Sequence, residues 1–208
     1  LEKGADINAV DRWDKMTALH YAVRHHSDLE VVALLLEKGA DVNAVDGCNR
    51  TALHHAARHK APFEVVALLL EKVADVNAVD NSNETALHYA VRHHSDLEVL
   101  TLLLDKGVNI NAVDSFRMTA LHYALKYKSD LEVMALLLEK GIDVNAKQQQ
   151  DGETALHLAL IYKYDIEVLA LLHKNGADVH AVNDDKISAL QLASYNNASP
   201  EVLAQLTE

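Results

Sequence analysis

Histidine is the residue type with the greatest capacity for chemistry in this chain, because 13 of its 208 residues are histidine. An imidazole can bind a metal ion or transfer a proton near neutral pH. One set of histidines ends a recurring Thr-Ala-Leu-His motif: His20, His54, His88, His122 and His157. A second set follows several of these motifs at a short distance: His25, His26, His59, His93 and His94.

The spacing of the second set argues against a shared metal site. Equivalent histidines such as His25 and His59 are 34 positions apart, on successive copies of one motif. On neighbouring packed helices they would stand roughly 8–10 Å apart, whereas a metal–nitrogen bond is about 2 Å long. Adjacent residues such as His25 and His26 point to different sides of a helix. We therefore predict no metal site and no cofactor.

Other catalytic patterns are not found in the sequence. It contains no nucleophile with a base and an orienting group, no phosphate-binding glycine loop and no paired catalytic carboxylates at a meaningful spacing. Cys48 is the single cysteine, and its neighbours do not recur elsewhere, so we interpret it as an ordinary surface thiol. We predict a protein that is not an enzyme and that has no small-molecule substrate.

Composition narrows the classes of partner and of location. A formal net charge of −12 argues against a general nucleic-acid binder, whose affinity comes from neutralising phosphates. The longest apolar runs, such as VVALLL, are far shorter than the about 20 residues that span a bilayer. No signal peptide is visible, and a single cysteine fits a reducing compartment. We predict an intracellular, cytoplasmic protein without membrane insertion, or one in the host-cell cytoplasm if it is a secreted effector.

The whole chain is built on one stretch, residues 17–46, which recurs with small changes. Successive copies begin 34 or 35 residues apart, at these positions: Thr17, Thr51, Thr85, Thr119, Thr154 and Ser188. A fixed period of this length is typical of a solenoid of stacked supersecondary units. Leu1 lies inside a copy, so we expect further sequence before it.

Each copy predicts two short helices. The first begins after Thr17, whose hydroxyl can cap it, and runs to about Arg24. The second is predicted over residues 30–38. A capping box of Ser27 and Glu30 would open it, because serine followed three residues later by glutamate satisfies two first-turn donors.

The second helix is predicted to end in a left-handed turn at Gly39. Val73 occupies this place in the second copy, and a β-branched residue there costs on the order of 1 kcal/mol, so we expect local strain. Beyond the turn, Val42 and Val45 alternate with polar residues, which predicts an extended segment that enters a tight loop.

Each copy resembles the ankyrin repeat. TALHYA is similar to the T-P-L-H-x-A of that family, and LLLEKGADVNAVD is similar to its second helix and outgoing hairpin. The resemblance covers essentially the whole chain. It implies an all-α solenoid of stacked helix-turn-helix units with connecting β-hairpin-like loops, in which the histidine of each TALH motif braces a turn through hydrogen bonds. The turn between the two helices holds one residue more than the family pattern.

The resemblance also implies the boundaries of a single ankyrin-repeat array over residues 1–208. Residues 1–11 would be the tail of a preceding repeat, and residues 184–208 a carboxy-terminal capping repeat. The full repeats would occupy residues 12–46, 47–80, 81–114, 115–147 and 148–183. LLLEKGADVNA is similar to the context in which ankyrin-repeat asparagines are hydroxylated in animal cells, and three asparagines fit it: Asn43, Asn77 and Asn145.

In ankyrin arrays the first-helix ends and the loop tips line a concave groove, which implies where a partner would bind. Along the helix ends a cationic series passes into an aromatic one: Arg24, His25, Arg58, His59, Arg92, His93, Lys126, Tyr127 and Tyr162. At the loop tips the candidates are Trp13, Met16, Arg50, Phe116 and Met118. Trp13 and Phe116 do not belong to the repeating core pattern, so we expect both to be exposed interface anchors. Cations at helix ends also complement the helix dipole, and Trp13 could instead pack on a neighbouring loop.

We predict a non-enzymatic scaffold that binds a partner protein, through an acidic or phosphorylated segment, in this groove. An alternative is that the array is the recruiting or regulatory arm of a larger enzyme, channel or secreted effector whose activity lies outside this stretch. A third is a spring-like spacer without a ligand, for which groove substitutions would alter only solubility.

Overall fold

The computed structural model describes residues 6–195 and 200–206 and divides into two compact units, Leu1–Asn109 and Ile110–Glu208. The helices described in the amino-terminal unit are α1 (Ala18–Arg24), α2 (Leu29–Glu37), α3 (Ala52–Arg58), α4 (Phe63–Glu71), α5 (Ala86–Arg92) and α6 (Leu97–Asp105). Those of the carboxy-terminal unit are α7 (Ala120–Lys126), α8 (Leu131–Glu139), α9 (Ala155–Ile161), α10 (Ile166–Lys174), α11 (Ala189–Tyr195) and α12 (Pro200–Gln205). The predicted tail of a preceding repeat and the polar end of the last one lie partly outside the described residues, at residues 1–5 and 207–208.

Within each unit the helices pack in two rows. In the amino-terminal unit the first helices α1, α3 and α5 contact one another in succession, as do the second helices α2, α4 and α6. The rows α7–α9–α11 and α8–α10–α12 repeat this arrangement in the carboxy-terminal unit. Leucines fill the space between the rows, and Leu69, Leu103 and Leu137 have no exposed surface (0%). The predicted all-α solenoid of helix-turn-helix units is confirmed.

The first helix of each copy begins where the sequence predicts. Thr17 is extended, its hydroxyl accepts the backbone N–H of His20, and its own backbone N–H donates to the His20 ring (3.1 Å). The same threonine–histidine box precedes α3, α5, α7 and α9. It satisfies two donors that a helix start would otherwise leave unpaired, which supports a helix of only seven residues.

The second helices begin one residue earlier than predicted, and the capping box predicted from Ser27 and Glu30 is wrong. α2 starts at Leu29 after Asp28, and no side chain caps it. Ser27 closes the turn after α1 instead, because its backbone N–H donates to the carbonyl of Ala22 (2.9 Å).

The turn between the two helices explains this difference. Its left-handed residue is not glycine in the five full copies, where φ lies between +53° and +58°: His26, Lys60, His94, Lys128 and Lys163. This turn directs the following serine toward the first helices, so that the Ser95 hydroxyl donates to the carbonyl of Ala57 in the preceding copy (3.1 Å). A serine used in this way cannot also cap the second helix.

The left-handed turn after the second helix is confirmed. Gly39 has a φ of +91°, and Val73 adopts the same region with a φ of +64°. Val73 is 79% exposed, so no packing of its side chain offsets the steric cost of this conformation. Its carbonyl accepts the side-chain amide of Asn43, which fixes the turn in place (3.2 Å).

We expect Val73→Gly to raise the free energy of unfolding by about 1 kcal/mol, because glycine adopts a positive φ without a Cβ clash. Urea unfolding followed by circular dichroism would measure the change. Val73→Ala is the matched control: it removes the β-branch but keeps a Cβ, so it should recover only part of the gain. An unchanged or lower stability for Val73→Gly would show that valine is not strained there.

Candidate functional site

A buried aspartate organises the loops before the second, third and fourth copies of the first helix. One oxygen of Asp80 accepts the backbone N–H of Glu84 (2.9 Å), and the other accepts the hydroxyl of Tyr89 (2.8 Å). Asp46 and Asp114 hold their own loops in the same way. These bonds connect each loop to the helix that follows it, so they fix the backbone on which the residues of the loop tip stand.

Three of the TALH histidines, His20, His54 and His157, link one copy to the next, whereas the Nε2 of His122 is buried without a hydrogen-bond partner among the described residues. In α3 the ring Nδ1 of His54 accepts the backbone N–H of Thr51 (3.1 Å), and its Nε2 donates to the carbonyl of Glu84 (3.0 Å). His20 and His157 make the equivalent pairs of bonds. Burial lowers the pKa of His54, which keeps the ring neutral in this tautomer. Because both ring nitrogens of His20, His54 and His157 are engaged, these three histidines brace the fold and offer no lone pair to a metal ion.

The three candidate hydroxylation asparagines, Asn43, Asn77 and Asn145, are exposed, and their side chains form hydrogen bonds to the next copy. The side-chain oxygen of Asn43 accepts the backbone N–H of Asp75 (2.7 Å), and its NH₂ donates to the carbonyl of Val73 (3.2 Å). Asn77 and Asn145 bridge to the next copy in the same way. The segment predicted to be extended is a turn here, closed by a bond from the Ala44 N–H to the Asp41 carbonyl (3.2 Å).

The first-helix ends of the amino-terminal unit bring three arginines to successive positions, but their environments differ. Arg58 is exposed and forms no ion pair among the described residues. Arg24 is half-buried and donates to the sulfur of Met16 (3.4 Å). Arg92 forms an ion pair with the buried carboxylate of Glu84, with Nη1 3.0 Å from Oε2. The positive charge available to a partner is therefore concentrated toward Arg24 and Arg58.

The pKa values of the histidines beside these arginines depend on burial and on the neighbouring charges. His59 and His93 are half-buried, and His25 is exposed. Burial lowers the pKa of His59, and the nearby cations Arg58 and Arg24 lower it further. The pKa of His93 is lowered by burial and then by Arg92 and Arg58. Arg58 therefore acts on both His59 and His93, which places its charge near two successive helix ends.

The loop tips confirm two of the predicted exposures and contradict two. Trp13 is 93% exposed and Phe116 is 62% exposed. Met16 and Met118, which we expected at the presented tips, are buried at 1% and 9% exposure. The residue before each TALH threonine points inward under the loop, so a methionine there fills the core. Arg50 occupies the same position and is paired with Asp46, with Nη2 2.8 Å from Oδ2.

The equivalent helix ends of the carboxy-terminal unit are aromatic. Lys126 is exposed, with its Nζ 6.0 Å from the ring centroid of Tyr127, and Tyr127 stacks on Tyr123 at a centroid distance of 5.7 Å. Tyr162 is half-buried. Burial raises the pKa of the Tyr162 hydroxyl, and the charge of Glu153 raises it further.

Comparison with known proteins adds one positive finding. A family model described as ankyrin repeats (3 copies) matches residues 1–80, 43–114, 64–148 and 93–183. A search of curated proteins found no match to the chain. Across the described ranges, no helix combines the length and the apolar character that crossing a membrane requires.

Proposed function

Because the chain belongs to the ankyrin-repeat family, whose members are generic protein–protein interaction modules, we propose that it is a non-enzymatic scaffold for a partner protein. The partner would present an acidic or phosphorylated segment to the first-helix ends of the amino-terminal unit. The exposed thiol of Cys48 suits the reducing interior of a cell, where we place this interaction.

The observation that carries this proposal is the succession of arginines in the last turns of α1, α3 and α5. Arg58 is exposed without an ion pair among the described residues, and its charge lowers the pKa of both His59 and His93. Burial is the larger cause of both lowered pKa values, and the smaller contribution of the arginines is the one whose sign also attracts an anion. Arginine can bind carboxylate or phosphate through two parallel hydrogen bonds, and a positive patch on an otherwise acidic chain steers such a ligand to one place.

The test compares proteins captured from a cell lysate by the immobilised wild-type chain and by the double variant Arg24→Glu, Arg58→Glu. Arg92 is left unchanged because a glutamate there would face Glu84 and remove the ion pair that compensates it. We expect wild type to retain at least one partner at low ionic strength, and the double variant to lose it. Phosphatase treatment of the lysate separates a phosphorylated segment from one rich in aspartate and glutamate.

The matched control is Lys38→Glu, Lys72→Glu. These exposed lysines are the C-cap residues of α2 and α4, so the control changes the net charge equally and removes the same kind of helix-dipole complement. Circular dichroism must show that all three proteins are folded. Retention of the same partners by the double variant and by wild type would refute binding at this surface.

A further inference from the structure

A pocket opens beside the longest loop of the carboxy-terminal unit. Its volume is about 270 Å³, and it lies between residues 148–153 and the end of α9. Its lining combines apolar, aromatic and acidic groups, including Leu158, Ile161, Tyr162, Asp151 and Glu153.

Glu153 is the acidic group of this pocket that the described residues do not neutralise. Its carboxylate is half-buried and accepts one long hydrogen bond, from the side-chain amide of Gln148 (3.4 Å). No basic side chain of the described residues forms an ion pair with it. Burial raises the pKa of Glu153, and the negative charges of Asp151 and Asp185 raise it further. A half-buried carboxylate surrounded by other acids favours a cation.

The amino-terminal unit shows what can fill such a place. Glu84 stands directly before its TALH threonine, as Glu153 does, and it pairs with Arg92, eight residues further on. The guanidinium of Arg92 also lies 5.6 Å from the ring centroid of Tyr89. In the carboxy-terminal unit the residue eight positions after Glu153 is Ile161. The fifth copy therefore has the glutamate of the third copy, but an isoleucine in place of the arginine that pairs with it.

The lysine that borders this pocket does not take over this role. Lys126 borders the pocket from α7. Its Nζ lies 6.0 Å from the ring centroid of Tyr127, and a lysine paired with Glu153 would lower the pKa of that carboxyl instead of leaving it raised.

We propose that this pocket binds an arginine side chain of a partner protein, with the guanidinium on Glu153 and the aliphatic stem against Leu158, Ile161 and Tyr162. Arginine fits better than lysine, because its planar fork can engage both oxygens of a carboxylate and stack on an aromatic ring. The stem would cover apolar surface that is open to solvent, as long cationic side chains commonly do. This site lies in the other unit from the surface proposed above and takes a ligand group of opposite charge, so each can fail alone.

The test is an NMR titration of the full chain with acetyl-Gly-Arg-Gly-amide. A single arginine should bind weakly, with a Kd on the order of 1–10 mM, and shift the amide signals of residues 148–153 and α9. The citrulline analogue, which has nearly the same shape but no charge, should not produce these shifts. Equal shifts from the citrulline peptide, or equal affinity for a lysine peptide, would overturn the assignment to arginine.

Three variants locate the binding group. Glu153→Gln should weaken binding at least about tenfold, since a charged hydrogen bond is lost. Glu139→Gln makes the same chemical change at the exposed end of α8, outside the pocket lining, and should alter the Kd by less than about twofold. Ile161→Arg should place a guanidinium on Glu153 as Arg92 does on Glu84, which lowers the pKa of the Glu153 carboxyl in a carbon-detected titration and abolishes peptide binding. Wild-type affinity in Glu153→Gln, or in Ile161→Arg, would overturn the proposal.

Discussion

Replacing His54 with alanine is expected to lower the free energy of unfolding by about 3 kcal/mol. The substitution removes the acceptor of the Thr51 N–H and the donor to the Glu84 carbonyl. Both of those backbone groups lie on residues that are at least 95% buried, so neither is compensated by water. In a stack, loss of a bond between copies also weakens the interface to the next one.

The chain itself supplies the control for this prediction. Its last copy has Gln191 in place of the histidine, and the side-chain oxygen of Gln191 accepts the Ser188 N–H (2.9 Å). His54→Gln should therefore keep the cap and lose about half as much stability as His54→Ala. Urea unfolding of the three proteins measures the difference. Equal stability of His54→Ala and wild type would show that the link between copies contributes nothing.

The repeating pattern was sufficient to predict the elements. Threonine before a periodic apolar run indicates a helix start, and Thr17 caps α1 as predicted. Glycine at a helix end indicates a left-handed turn. The second copy forms the same turn, although Val73 stands there in place of glycine. The exposures of Trp13 and Phe116 were predictable because neither belongs to the core pattern.

The loops could not be predicted to the same depth, because the direction of a loop side chain depends on the path of the backbone. Met16 and Arg50 occupy one position before the TALH threonine, yet one fills the core and the other pairs with a buried carboxylate. Ser27 has the spacing of a capping box, but the left-handed conformation of His26 turns it toward the first helix. The sequence does not indicate that conformation, because the residue is a histidine and not a glycine.

Paired substitutions within the chain carry a signal that would have found part of this network. Where the loop has Asp80 or Asp114, the following helix has a tyrosine that donates to it. In the fifth copy the aspartate becomes Gln148 and the tyrosine becomes Leu158. The loop position and the helix position change together because their side chains form one hydrogen bond, and the fifth copy has lost both the carboxylate acceptor and the hydroxyl donor of that bond. The second copy breaks the rule in a different way, because it keeps the aspartate and replaces the tyrosine with histidine.

That histidine, His55, should make the protein sensitive to acid. Its ring is 2% exposed, Nε2 lies 2.9 Å from the Asp46 carboxylate, and Nδ1 is buried without a hydrogen-bond partner in the described structure. Burial lowers the pKa of His55 to about 4, whereas an unfolded histidine titrates near 6.5. The unfolded chain therefore takes up a proton before the folded one does. The stability that neutral His55 supports is fully present above about pH 6.5 and is lost as the pH falls toward about 4.

A gap of this size corresponds to on the order of 3 kcal/mol, and His55→Tyr should remove it. Tyrosine at the equivalent position donates to the loop aspartate through Tyr89 and through Tyr123, and it does not titrate in acid. Urea unfolding at a series of pH values between about 7 and 5 should show a shallower loss of stability in this variant. His25→Gln, which removes an exposed histidine and leaves His55 buried, should keep the wild-type slope. If His55→Tyr and wild type lose stability in parallel as the pH falls, the buried imidazole is not the acid-sensitive group.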